Sequence, residues 1–151
     1  MAFVIPGHPT PKARARVVCS KKTGKTHAIT PKKTASYEAT IRLVAAAARP
    51  SRWPLRARYE VTIRAHRAAA RGDIDNICKG VADGCNGVAW VDDARVYKLD
   101  AEMFDDAHEP RTEVLIVAIP VRCKLMRCGG QETFFPDEQG RCETCAAAGR
   151  A

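Results

Sequence analysis

Long apolar runs are what this sequence most plainly lacks. The longest, residues 114–121, has eight residues and includes Pro120. A membrane-spanning helix needs about 20, so no membrane partner is expected. The opening Met-Ala-Phe-Val-Ile-Pro-Gly-His has neither a charged start nor a long apolar stretch, which argues against a secretory signal. The expected location is the cytoplasm. Aromatics are scarce as well, 6% of the chain against 46% apolar residues, so the core should be mostly aliphatic. The four histidines, His8, His27, His66 and His108, form no closely spaced pair and do not suggest a histidine metal site.

Acidic residues are nearly missing from the first half. Residues 1–72 hold 16 Lys/Arg and 2 Asp/Glu, a charge of +14. Residues 73–113 reverse this, with 4 and 11, or −7. Residues 114–151 are close to neutral at +1, and the chain sums to +8. A basic half points to a polyanion, and the acidic block beside it asks for a separate purpose. Lys12, Arg14 and Arg16 alternate, and Lys21, Lys22, Lys25, Lys32 and Lys33 follow. In an extended segment alternate cations share a side, which suits nucleic-acid phosphates. Ordinary solvent-facing charge is the bland reading, and the size of the excess weighs against it.

At 151 residues the chain has room for one domain and a small appendage. Residues 3–5 form a short strand ending at Pro6-Gly7. Residues 16–20 and 25–29 read as the arms of a hairpin. Thr30-Pro31 is expected to cap a helix that runs to about Arg49, with Tyr37, Ile41, Val44 and Ala48 on its apolar stripe. Residues 55–66 alternate as a strand with Tyr59, Val61 and Ile63 on one face. The clearest helix covers residues 74–86: Ile74, Ile77, Cys78, Val81 and Cys85 make a stripe, and Asn86-Gly87 makes a stop. Residues 95–104 and 113–121 read as two strands joined by an acidic loop, expected to be antiparallel. The fold class is therefore α+β, a mixed sheet with two main helices over residues 1–121. A tail over residues 122–151 follows.

Asp73 and Asp75 sit at the entrance to the second helix. Asp75, Lys79 and Asp83 are four apart and share a face, and Asp92-Asp93 follow in a turn. Carboxylates of this kind bind hard divalent cations such as Mg²⁺, which serve phosphodiester hydrolysis. A lysine beside them can stabilise charge developing on the phosphoryl group. Three structural readings stay open: an aspartate cap, a solvated salt-bridge ladder and simple turn residues.

The stretch Arg71-Gly-Asp-Ile-Asp-Asn-Ile-Cys-Lys-Gly-Val-Ala-Asp, followed nine residues on by Asp92-Asp93, resembles the RusA family of Holliday junction resolvases. The opening from Phe3 to Arg16, the stretch from Thr30 to Glu38 and the strand at 113–119 resemble the family too, so the likeness covers about residues 2–120. It implies a dimeric, Mg²⁺-dependent endonuclease of a type often prophage-borne, in a bacterial or phage-infected cell. Its substrate would be branched DNA, the four-way junction, cut symmetrically in recombination and repair. By position, Asp73, Asp75 and Asp93 match the family's catalytic carboxylates, Lys79 its catalytic lysine, and Asp92 a recurrent acidic position near the metal. Arg71 and Asn76 fall within the motif and join the cations above as candidate DNA contacts. Two other readings remain: a branched-DNA-binding module without cleavage, or a nuclease for flaps or forks. The chain departs from the family at Gly84-Cys85, where Ala-Leu is commoner. A mid-helix glycine costs about 1 kcal/mol against alanine.

Cysteine, by contrast, is plentiful at seven residues, an odd number that does not suit a disulfide framework in a reducing compartment. Four lie within 23 residues: Cys123, Cys128, Cys142 and Cys145. Two pairs of thiolates fit tetrahedral Zn²⁺, and a polar tail this short needs such a staple. A zinc-ribbon-like extension with a closed, structural Zn²⁺ site is the expectation.

Overall fold

The computed structural model describes residues 1–19, 23–53, 57–68, 72–122 and 132–133. Arg71, Lys21, Lys22 and the four tail cysteines lie outside the described residues. The order is β1 (Ala2–Pro6), β2 (Arg16–Cys19), β3 (Thr26–Ile29), α1 (Lys32–Ala48), β4 (Arg58–Arg67), α2 (Ile74–Cys85), β5 (Val96–Asp105), β6 (Arg111–Ile119), β7 (Val121–Arg122) and β8 (Glu132–Thr133). A 3₁₀ turn, Asp93–Arg95, precedes β5.

Four strands form one sheet in the order β1-β6-β4-β5. Period-two alternation puts Tyr59, Val61, Ile63 and Ala65 of β4 under α1 and α2. Val114 and Ile116 of β6 join the same core. The opposite face of the sheet carries Val4, Leu115 and Val117, each about half exposed. One face is therefore covered by helices and the other is open, the usual arrangement when helices gather on one side of a sheet.

The last two long strands correct the expectation of an antiparallel pair. β5 and β6 do run in opposite directions, but β4 lies between them. β5 pairs with β4 in parallel, Val61 beside Leu99 and Ile63 beside Ala101. β6 pairs with β4 antiparallel, Ile63 opposite Val114. Parallel neighbours need a long crossover, usually helical, and the segment carrying α2 supplies it. The acidic loop then passes the end of β4, where Asp106 N donates to Arg67 O at 2.8 Å. Arg111 neutralises that loop, donating to Asp106 Oδ2 at 3.0 Å and to Glu113 Oε1 at 2.9 Å. Two backbone amides, of Glu109 and His108, also donate to Asp106; the Glu109 bond first, and then Arg111 and the His108 bond, hold its carboxyl below the usual range.

α1 begins one residue later than expected. Pro31, not Thr30, occupies the cap position, and no side chain caps the helix. Thr34, Tyr37, Ile41 and Ala45 are its buried residues, with Val44 and Ala48 at the core's margin. The buried Tyr37 hydroxyl shares a 2.8 Å hydrogen bond with Thr112 of β6.

Gly84 now has a reason. A Cβ there would lie 2.8 Å from Cβ and Cγ2 of Ile41 and 3.2 Å from Glu38 O. The helices cross too closely for alanine, so the local propensity cost is offset by packing. The few aromatics are also grouped. Tyr59 lies between Trp53 and Trp90, with ring centroids 5.8 and 6.0 Å away. Trp90 Nε1 donates to Asn86 Oδ1 at 2.8 Å, and Trp53 Nε1 donates to Ala89 O. Gly87 adopts φ +76° after the helix end, as the stop predicted. The turn leading to Asp93 is thereby clamped at both ends.

Candidate active site

Asp73 takes the N-cap position of α2 with extended backbone, yet its carboxylate makes no capping bond. It accepts instead from Asn76 Nδ2, at 3.5 Å. The capping explanation therefore does not account for Asp73, and its oxygens stay exposed. One turn on, Asp75 and Lys79 are also exposed. They line an open groove of about 610 Å³ between α2 and β5, with Cys78, Ala82, Leu99 and Asp100. A second depression, about 180 Å³, is lined by Asp93 together with Cys78, Ala82, Leu99 and Trp90. The two share Cys78, Ala82 and Leu99 and therefore adjoin, with Asp75 and Lys79 lining one and Asp93 the other, beside the edge strand β5.

Asp92 behaves differently. Its Oδ1 accepts from Ala94 N at 2.8 Å, capping the 3₁₀ turn. It orients the turn from which Asp93 projects. Asp83 also leaves the set. Helical drift over eight residues turns it towards α1, where Lys12 Nζ donates to Asp83 Oδ2. Glu38 Oε1 lies 3.8 Å from the same ammonium. Asp100 touches the rim of the groove, but it pairs with Thr62 of β4, on the open face of the sheet, so it points away from α2 and does not join the acidic set.

The basic segment borders this cleft. Lys12 N donates to Asn76 O at 2.9 Å. The Pro11 ring packs against Gly72, whose φ is +90°; a Cβ there would meet the ring at 2.8 Å. Thr10 O passes Gly80 of α2, 3.6 Å from where a Cβ would stand. Residues 10–12 therefore form a strap along the helix that carries Asp73, Asp75 and Lys79. Arg14 and Lys25 are exposed beyond it, and Arg16 opens β2. Lys32 and Lys33 are exposed in the first turn of α1, which holds no acidic residue. Lysines there oppose the helix dipole, so they do not stabilise α1.

Among the described residues, no three His, Cys, Asp or Glu side chains are gathered as a ready ligand set. Mg²⁺ typically takes one or two carboxylates and keeps several waters. Exposed oxygens on a cleft beside a basic strap fit a hydrated Mg²⁺ shared with a phosphate. Cys78 is unsuited to either ligation or attack. Burial, and then the Asp75 charge, push its thiol up, so it stays protonated.

The comparisons with known proteins bear on the same residues. Among curated proteins, no sequence matches the chain. The family model described as Endodeoxyribonuclease RusA matches residues 6–117. That span takes in the strap, both helices, the cleft and all but the last residues of β6. No helix of the described residues is long and apolar enough to cross a membrane. With well over half of its length matched, and with the acidic cleft inside the match, the chain belongs to the RusA endodeoxyribonuclease family.

Proposed function

We propose that this protein is a Mg²⁺-dependent, structure-selective endodeoxyribonuclease that resolves Holliday junctions by paired, symmetric phosphodiester cleavage. The observation that carries the reading is the pair of adjoining depressions lined by Asp75 and Lys79 and by Asp93, with residues 10–12, which lead into the basic segment, fixed to the helix that carries Asp75 and Lys79. Carboxylates alone would repel DNA. Placed beside a segment without acidic residues, they instead become a site where metal and phosphate enter together.

Asp75 and Asp93 would hold the metal in the cleft, with Asp73 at its mouth and Asp92 fixing the turn. When bound, Mg²⁺ polarises the phosphoryl oxygens and helps supply a nucleophile from water. Lys79, one turn above Asp75, places its ammonium where charge builds on the phosphorane or the leaving oxygen. Arg14, Arg16, Lys25, Lys32 and Lys33 hold the flanking phosphates, and Lys21, Lys22 and Arg71 belong to the same basic stretches in sequence. Lys12 acts through its backbone and its pairing with Asp83, keeping the strap on α2. Such contacts read backbone shape and not base sequence. Two opposed nicks need two copies of the site, so a homodimer is part of the proposal.

The tail is proposed to bind one structural Zn²⁺ through Cys123, Cys128, Cys142 and Cys145. In support, β7 and β8, which flank Cys123 and Cys128 in sequence, pair with each other, Val121 opposite Thr133. Elemental analysis of protein purified without chelator should return about one zinc per chain; none would reject the site.

The activity is tested with a labelled four-way junction and a matched linear duplex, each with Mg²⁺ or EDTA. Symmetric nicks on the junction alone, and only with Mg²⁺, are expected. Binding without cleavage in Mg²⁺ or Mn²⁺ would leave a junction-binding module. Cuts confined to flaps or forks would change the substrate and keep the chemistry.

A further inference from the structure

The hairpin formed by β2 and β3 is not used by the cleft. Its described residues, 17–19 and 23–30, are all exposed. Val17 is 73% exposed, Ile29 48% and Val18 42%. The register pairs Val17 with Ala28, Val18 with His27 and Arg16 with Ile29. Paired residues share a face and successive ones alternate. Val17 and Ala28 therefore point to one side, and Val18 and Ile29 to the other. A two-stranded ribbon alone is marginal in water, and apolar residues on both faces weaken it further. It asks for something that covers both sides.

We propose that this ribbon inserts at the branch point of a four-way DNA junction, with Val17 and Val18 against the base pairs on either side. The inference rests on the proposed function and deepens it by naming the element that senses the branch. Three observations favour DNA over a protein partner. An arm that docks on a protein surface needs one apolar face, whereas a wedge between two stacks of base pairs needs two. The ribbon lies within a stretch that has no acidic residue before Glu38 and that carries Arg14, Arg16, Lys21, Lys22 and Lys25, so the charge of the stretch suits phosphates. Finally, the strap at residues 10–12 roots the ribbon on α2, beside Asp73 and Asp75. A wedge at the branch would set the position of the nearby phosphates relative to the cleft. Major grooves admit two-stranded ribbons, and apolar side chains are known to enter base steps. At a branch the stack is already interrupted, so insertion there is easier than in a linear duplex.

The test uses the full chain with the double substitution V17T/V18T, which keeps side-chain shape and strand propensity while adding hydroxyls. A V17I/V18I variant is the apolar control. Anisotropy measures Kd for a fluorescein-labelled junction and for a duplex of the same sequence. A 2-aminopurine beside the branch reports unstacking. Loss of base contact by V17T/V18T should weaken junction binding about tenfold. Duplex binding should stay within about twofold, because phosphate contacts are intact. The 2-aminopurine signal should be lost with it, and the isoleucine control should behave as wild type. Unchanged junction affinity and an unchanged fluorescence signal would overturn the inference. So would equal loss on both DNAs, or a loss of dimer in sedimentation, which would make the ribbon an arm for a second copy. Cleavage-competent wild type with an indifferent ribbon sinks only this inference; wild type that binds neither DNA sinks the parent reading.

Discussion

Two aspartates nine positions apart, Asp83 and Asp92, show how a single residue type divides its work. Asp83 pairs with Lys12, 71 residues upstream, and Asp92 caps a turn two residues away. Neither role is visible in the spacing, because the first partner is distant in sequence and the second depends on one loop's shape. Asp75 and Lys79 were legible, since an exposed helix face follows directly from the apolar stripe opposite. Cysteine carries a prediction at this scale. Cys85 is fully buried, and burial pushes its thiol from an ordinary 9.0 to about 12. Between those values the unfolded chain has lost a proton that the folded chain keeps. Stability from this group is thus whole below pH 9 and falls as pH rises towards 12, by at most about 1.4 kcal/mol per pH unit. Urea midpoints from about pH 9 to 10.5 should decline, and less steeply in Cys85→Ala. Cys78 and Tyr37 are also raised by burial and contribute in the same sense, so a shallower slope, not a flat line, is expected. Identical slopes would contradict this.

Helix α2 was readable as an element because its stripe of Ile77, Cys78, Val81 and Cys85 is local, and all four are buried. Its glycines were not, because their reason lies in other elements. Gly84 faces Ile41 of α1, while Gly80 faces the strap at an ordinary 3.6 Å. The two therefore predict opposite outcomes. Gly84→Ala should destabilise the protein by about 1–3 kcal/mol through overpacking, against its better helix propensity. Gly80→Ala should be neutral or stabilising by up to about 1 kcal/mol. Chemical denaturation of both variants checks this, and a tolerated Gly84→Ala would mean that the helices do not cross as closely as described. The strand order failed for a similar reason. Alternation in β5 and β6 gives their faces, but nothing in either strand says that β4 stands between them. That arrangement comes from the α2 crossover, and it is what sets Leu99 beside Val61 in the depression that Asp93 lines.

For the whole molecule, the uneven charge has been resolved into parts. Within the acidic block, Asp105 pairs with Arg67, and Asp106 and Glu113 pair with Arg111, so they serve the sheet's end. Asp73, Asp75 and Asp93 remain for the proposed metal site. The basic half supplies the strap at residues 10–12 against α2, and then the ribbon and the start of α1. Composition pointed to a polyanion and the motif to carboxylates, and the fold fixes residues 10–12 to the helix that carries Asp75 and Lys79. The most direct measurement of the central claim is single-turnover cleavage of a four-way junction in Mg²⁺ by wild type and Asp75→Asn, with junction Kd measured alongside. The account predicts a loss of about 10³-fold or more in rate, with Kd within about threefold of wild type because the phosphate-holding cations are untouched. Cleavage by Asp75→Asn at the wild-type rate would contradict it.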